Sequence, residues 1–331
     1  MTIAVVGSGS WGTALAVLLG QKGCAVRLWG LPGEAAAVAR DRENKQYLPG
    51  IALPASVEAT ADVDSALEGA EAVVLAIPSG GLRAVLPLLR GKVGAETLLV
   101  NAGKGLECDT GLRGSQVIGE ELGAEVGETC VALSGPNLAV ELANGVPTAT
   151  VVASSDPERA SRAQELFSSP CLRVYRNADV VGVELGGALK NVMAIGAGIS
   201  DGLGYGDNTK ATLVTRGLAE ITRLGVTLGG SPRTFSGLSG YGDLMATCAS
   251  RLSRNLRLGR MLGEGRGVEE SLGALGQVAE GVPTCRAALL LGRRNDVYMP
   301  ITEQIHAILF EGKPPLQGVR ELMSRDSKEE L

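Results

Sequence analysis

Lys190 is the one cation of the apolar stretch Val180–Ile199, and an amide, Asn191, follows it. Burial disfavours a charged amine, so the pKa of such a lysine falls towards the working pH, where a general acid must donate and recover a proton. A structural lysine, snorkelling or paired with a carboxylate, accounts equally well for the residue taken alone. The only histidine, His306, is remote in sequence from every motif below. Imidazole acid–base chemistry and a His-rich metal site are therefore not expected, and proton transfer falls to lysine, a carboxylate or a hydroxyl. Other charged residues stand in unusual settings. Lys104 lies between Gly103 and Gly105, where a long side chain has little to pack against. Asp243 precedes the apolar run from Leu244, as a helix cap or as a partner for a cation. Arg254, in Ser253-Arg254-Asn255, either offers a planar fork to a phosphate or is a solvated helix-terminal cation. Thr247 falls one helical turn beyond Asp243, as part of the same group or as a surface hydroxyl.

A second constellation is built for an anion. Ile3-Ala4-Val5-Val6 runs into Gly7-Ser8-Gly9-Ser10-Trp11-Gly12, and an Ala/Leu-rich helical pattern starts at once. At this G-x-G-x-x-G spacing Gly7 allows the tight turn, Gly9 lets the backbone approach a pyrophosphate, and Gly12 lets the helix pack on the strand. The exposed N–H groups and positive end of that helix face the phosphates. With 47 glycines in 331 residues the spacing alone is weak, and the flanking strand and helix are what make it a dinucleotide site.

These residues need elements to hold them. The first half alternates short apolar runs with helical patterns. The runs are Ile3–Val6, Ala25–Trp29, Ala72–Ile77, Thr97–Asn101, Cys130–Ser134, Ala149–Ala153 and Leu172–Tyr175. Helical patterns between them include Thr13–Lys22, Glu34–Asn44, Leu82–Leu89 and Arg113–Leu122. Such alternation predicts an α/β unit, a doubly wound and mostly parallel sheet with helices on both faces. Ligands on such sheets lie beyond the carboxyl ends of the strands, which selects the loops Gly30–Pro32, Pro78–Ser79, Gly103–Gly105 and Gly135–Asn137. From about Val180 helical periodicity takes over, as in Thr212–Leu224, Arg254–Leu262, Thr284–Gly292 and Ile301–Phe310. The expected division is a dinucleotide-binding domain over 1–178 and an all-helical substrate-binding domain over 179–331, with the charged tail Ser324–Leu331 frayed.

Composition narrows the partners. A net charge of −5 without a dense basic run argues against a nucleic-acid surface, while leaving room for a local basic pocket for a small phosphorylated metabolite. Six scattered cysteines without a C-x-x-C pair read as reduced thiols of a cytoplasmic protein. A strand starting at Ile3 leaves no room for a signal peptide. Glu184, Lys190 and Asn191 within the apolar stretch favour a buried helix over a membrane span, so stable membrane insertion is not expected. A homodimer is compatible with this reading.

The segment Gly187-Ala188-Leu189-Lys190-Asn191-Val192-Met193-Ala194-Ile195-Gly196-Ala197-Gly198, continuing to Asn208, resembles the signature of NAD(P)-dependent glycerol-3-phosphate dehydrogenases of the bacterial, soluble biosynthetic type. Gly7–Ala16, Asn101–Leu106, Ser134-Gly135-Pro136, Gly242-Asp243-Leu244 and Ser253-Arg254-Asn255 resemble that family in the same order, so the likeness covers nearly the whole chain. It implies a Rossmann-like domain followed by a helical one. It also implies reversible reduction of dihydroxyacetone phosphate to sn-glycerol 3-phosphate for phospholipid synthesis. Lys190 would then exchange the proton at the C2 oxygen, Asp243 would hold the environment of that lysine, and Lys104 would touch cofactor and substrate. The resemblance further implies that Gly135, Asn137 and Asn191 line the substrate pocket, and that Ser253, Arg254 and Asn255 take the phosphate. Gly7, Gly9, Ser10, Trp11, Gly12, Ala139, Val278 and Glu280, with Lys104 and Arg254, would touch the cofactor. Two positions depart from the family pattern. Asn137 stands where Ser or Thr is frequent. Leu31 stands where related enzymes often carry a base, and Leu28-Trp29-Gly30 lacks the acid of an NAD-selective fold, since Glu34 opens the next helix. Dual use of NAD(H) and NADP(H) is the expectation, with Arg40 or Arg42 as the substitute base.

Overall fold

The computed structural model describes residues 1–94, 96–326 and 329, so the end of the charged tail, 327, 328, 330 and 331, lies outside the described residues. One eight-stranded sheet has the order β3-β2-β1-β4-β5-β6-β7-β8. Its strands are β1 (Thr2–Val6), β2 (Ala25–Trp29), β3 (Val57–Thr60), β4 (Ala72–Leu75), β5 (Leu98–Asn101), β6 (Val131–Ser134), β7 (Thr148–Ala153) and β8 (Leu172–Asn177). Neighbours are parallel except β6 and β7. β4, β5 and β6 are buried along their whole length, which is why they read as continuous apolar runs. The chain winds outwards through β2 and β3, then returns to the other side of β1. The order therefore reverses beside β1, and a crevice opens at the carboxyl ends there. β3 was not expected from the sequence: Val-Glu-Ala-Thr is an edge strand with one buried residue and carries no apolar run.

After β8 the described elements are all helical. The Val180–Gly202 helix starts at Asp179, whose carboxylate accepts from the Gly182 N–H at 2.8 Å and the Ser231 N–H at 2.8 Å. This helix is long and apolar enough to cross a membrane, but it is the buried centre of the helical half. Glu184, an acid near its start, ties that half to the sheet-bearing half. It accepts from Arg113 Nη1 at 2.6 Å, from Ser115 Oγ at 2.6 Å and from the Ser115 N–H, in the first turn of the Gly114–Leu122 helix, at 2.8 Å.

The central helix meets the Arg254–Gly263 helix backbone to backbone. A Cβ built on Gly198 would stand 2.0 Å from the Leu256 carbonyl oxygen, and one on Gly259 would stand 1.9 Å from that of Ile195. No side chain fits between the two helices, so their separation is set by main-chain contact. Gly259→Ala is predicted to destabilise the protein by at least about 2 kcal/mol through overpacking. Gly273→Ala, in a helix where a Cβ meets nothing within 4 Å, is predicted to be neutral or stabilising by up to about 1 kcal/mol. Thermal unfolding of both variants checks the contrast; equal melting temperatures would contradict it.

Candidate active site

Four segments converge beyond the sheet's carboxyl edge. Lys190 lies midway along the central helix, Lys104 in the loop after β5, and Gly135 in the loop after β6. Asp243 opens the Asp243–Ala249 helix directly after a π-helical turn, Leu238–Gly242, an irregularity that often marks a functional site. Asp243 receives an ammonium on each oxygen: Lys190 Nζ on Oδ1, and Lys104 Nζ on Oδ2 at 2.7 Å. Lys190 also donates to Thr247 Oγ1 at 2.7 Å, and that hydroxyl donates to the Asp243 carbonyl at 2.6 Å. Lys104 also donates to the Gly135 carbonyl at 2.7 Å. The side chains of Asp243, Lys190 and Lys104 are 1%, 8% and 15% exposed, so the cluster is almost dry.

An ammonium has three donors, and each lysine spends two on these partners. One N–H remains on each, beside a single carboxylate, so the cluster carries one net positive charge with all three groups ionised. Burial pulls the Lys190 pKa down to about 8, resisted by Asp243 and helped by the Lys104 charge. The cluster therefore suits an oxygen that gains negative charge and then a proton.

A line of amides continues from it. Asn191 Nδ2 donates to the Lys104 carbonyl at 3.3 Å, Asn255 Nδ2 donates to Asn191 Oδ1 at 2.9 Å, and the Gly281 N–H donates to Asn255 Oδ1 at 3.0 Å. Ser253 caps the Arg254–Gly263 helix, its Oγ accepting from the Leu256 N–H at 3.2 Å. Arg254 heads that helix, half-buried, with no hydrogen bond or ion pair among the described residues. Burial lowers its pKa while the Glu280 carboxylate pulls the other way. Glu280 itself is raised by burial and held by Ser79, which donates its N–H at 3.0 Å and its Oγ at 2.6 Å. Asn137 lies in the loop beside Lys104's acceptor, but its amide is engaged by β7: Nδ2 donates to the Ala149 carbonyl at 3.0 Å, and Oδ1 accepts from Thr150 Oγ1 at 2.8 Å.

The glycine loop passes a fit test for a dinucleotide. Gly7 has φ +117°, and a Cβ there would stand 2.5 Å from the Ala76 carbonyl oxygen. A Cβ on Gly12 would stand 1.9 Å from the Gly7 carbonyl oxygen, so helix and turn lie in contact. Gly9 has nothing within 4 Å of its Cβ position, the open ground a pyrophosphate needs. The Trp11 indole N–H is buried without a partner, and Ser10 Oγ donates to the Tyr47 carbonyl at 2.6 Å. Val278 is 50% exposed, and Ala139 opens a short helix after β6. Neither substitute base is free. Arg42 donates to the carbonyls of Val57 at 2.6 Å and Pro54 at 2.6 Å, and Arg40 pairs with Asp41. The strand-end rule selects the Pro78–Ser79 loop, but its pairing with Glu280, 201 residues away, leaves no trace in the local sequence.

A mostly parallel sheet with a glycine-lined crevice, joined to a dry lysine cluster, defines a dinucleotide-dependent oxidoreductase. Comparison with known proteins makes this specific. The chain belongs to the NAD-dependent glycerol-3-phosphate dehydrogenase family: the model of that family's N-terminus matches residues 2–160, and the model of its C-terminus matches residues 179–320. A glycerol-3-phosphate dehydrogenase (NAD(P)+) of Pelotomaculum thermopropionicum is 51% identical over 99% of this chain and 95% of its own length. That of Moorella thermoacetica is 50% identical over 100% of this chain and 98% of its own. The crystal structure of glycerol-3-phosphate dehydrogenase from Coxiella burnetii superposes with a TM-score of 0.94 at 38% identity, covering 98% of this chain and 99% of that one.

Removing the central carboxylate leaves two ammonium groups in a dry site. Asp243→Ala is predicted to cost about 3 kcal/mol or more at pH 6. The cost should be smaller at pH 9, where Lys190 sheds its charge. Urea unfolding at both pH values measures this, and a pH-independent loss would argue against the electrostatic origin.

Proposed function

We propose that this chain interconverts dihydroxyacetone phosphate and sn-glycerol 3-phosphate, using NAD or NADP, with Lys190 as the proton donor and acceptor. The observation that carries the reading is the pair of ammonium groups on one buried carboxylate, each with one N–H unspent. When bound, the nicotinamide supplies the hydride to the ketone carbon. As the C2 oxygen gains charge, the remaining donors of Lys104 and Lys190 stabilise it where no bulk water competes. Lys190 then gives up its proton, and in the oxidative direction the neutral amine takes it back.

The substrate phosphate belongs to Ser253, Arg254 and Asn255. The free N–H groups at that helix's start favour an anion, and the guanidinium is unspent. In this reading residues 1–178 bind the dinucleotide, residues 179–331 bind the substrate, and Glu280 shapes the rim between them. Six unpaired cysteines support a cytoplasmic enzyme that supplies glycerol 3-phosphate for phospholipid synthesis.

Lys190→Ala is expected to lower kcat at least about a hundredfold, the low end of a lost acid–base contribution. Because the Lys190 pKa is depressed, its proton is present below about 8 and lost above it. Reduction should therefore fall as pH rises through that value, oxidation should rise, and the variant should lose both inflections. Initial rates in both directions test this; a near-normal kcat removes Lys190 from the mechanism. Arg254→Ala should raise the KM for dihydroxyacetone phosphate roughly tenfold or more, as a lost charge-assisted hydrogen bond does. An unchanged KM refutes its phosphate role.

A further inference from the structure

Glu34 occupies a position that decides how the adenosine end of a dinucleotide is received. It lies in the first turn of the Pro32–Asp41 helix, the element after β2. Its carboxylate does not point away from the glycine loop. Oε2 accepts from Ser8 Oγ, between Gly7 and Gly9, at 3.1 Å, and Oε1 accepts from the Tyr47 hydroxyl at 2.8 Å. Tyr47 is itself joined to the loop through Ser10. Gly30 makes room for this docking: a Cβ there would stand 2.1 Å from Ser8 Oγ. The acid missing from the end of β2 is thus delivered by the next helix, about 20 residues beyond the glycine loop, the interval at which such folds present a carboxylate to a ribose hydroxyl.

The cations around it already have partners. Arg42 is tied to backbone carbonyls, while Arg40 and Lys45 both pair with Asp41. Leu31, 60% exposed, puts an uncharged side chain beside the crevice. A 2′-hydroxyl finds an acceptor here, since each Glu34 oxygen has accepting capacity left. A 2′-phosphate finds a like charge, with the nearby Arg40, Arg42 and Lys45 already partnered.

We infer that Glu34 ranks the two dinucleotides, so that both are accepted and NADH is held more tightly than NADPH. The inference rests on the dinucleotide site of the proposed function. Isothermal titration of the wild-type protein, Glu34→Gln, Glu34→Asp and Leu31→Arg with NADH and with NADPH tests it. The wild type should bind NADH roughly tenfold more tightly, a ratio set by one like-charge contact. Glu34→Gln should bring the two constants within about threefold, mainly by tightening NADPH, while Glu34→Asp keeps the wild-type order. Leu31→Arg, at an exposed side chain, should reverse the order by pairing the 2′-phosphate. Equal or tighter NADPH binding by the wild type, or a ratio that Glu34→Gln leaves unmoved, overturns the inference. Should the wild type bind neither dinucleotide, the underlying dinucleotide reading fails with it.

Discussion

The Asp243 carboxylate, 1% exposed and shared by two ammonium groups, is the interaction on which the site is assembled. Desolvation works against the Lys190 charge, and the one carboxylate answers it while also accepting from Lys104. The arrangement also joins the molecule. Lys104 comes from the sheet, while Lys190 and Asp243 come from the helical half, so the ion network doubles as a bond between the two. Glu184 with Arg113 and Ser115, and Glu280 with Ser79, repeat the device at other points along the same boundary.

Functions are divided along the carboxyl edge of the sheet according to what each strand end can offer. β1 ends in glycines and supplies bare backbone. β5 and β6 end in a lysine and in the carbonyl that helps hold it. β2 ends without a charge, and the helix after it brings one back to the glycine loop. The opposite bank is helical and contributes the side chains that pair, donate and cap. Its irregular π-turn lets Asp243 enter the core at the start of a helix, where a regular helix would have carried the chain past it.

Much of this was legible before any coordinates. The alternation of apolar runs and helical patterns gave seven of the eight strands, and the spacing of Gly7, Gly9 and Gly12 gave the crevice. Lys190 stood out because a cation inside an apolar helix is costly. The pairing partners were harder. Asp243 reads equally as a helix cap, and only the approach of two lysines from distant segments distinguishes the readings. Thr247 was open for the same reason. β3 was invisible because an edge strand needs little apolar side chain. Arg42 was misjudged as a free base because nothing in its neighbourhood of sequence shows that three backbone carbonyls, of Leu53, Pro54 and Val57, lie within its reach. Long-range partners of this kind are a property of the fold and leave no local trace.

The glycine contact between the central helix and the Arg254–Gly263 helix has a metrical consequence. Main chain pressed on main chain has no rotamers to exchange and no side chain to yield, so the separation of the two helices leaves no slack at this contact. Lys190 is carried by the first and Arg254 by the second. The spacing between the backbone positions of Lys190 and Arg254 is thus set by the two helices themselves. In the proposed reading, with the carbonyl at Lys190 and the phosphate at Arg254, the seam would act as a gauge of the length between them.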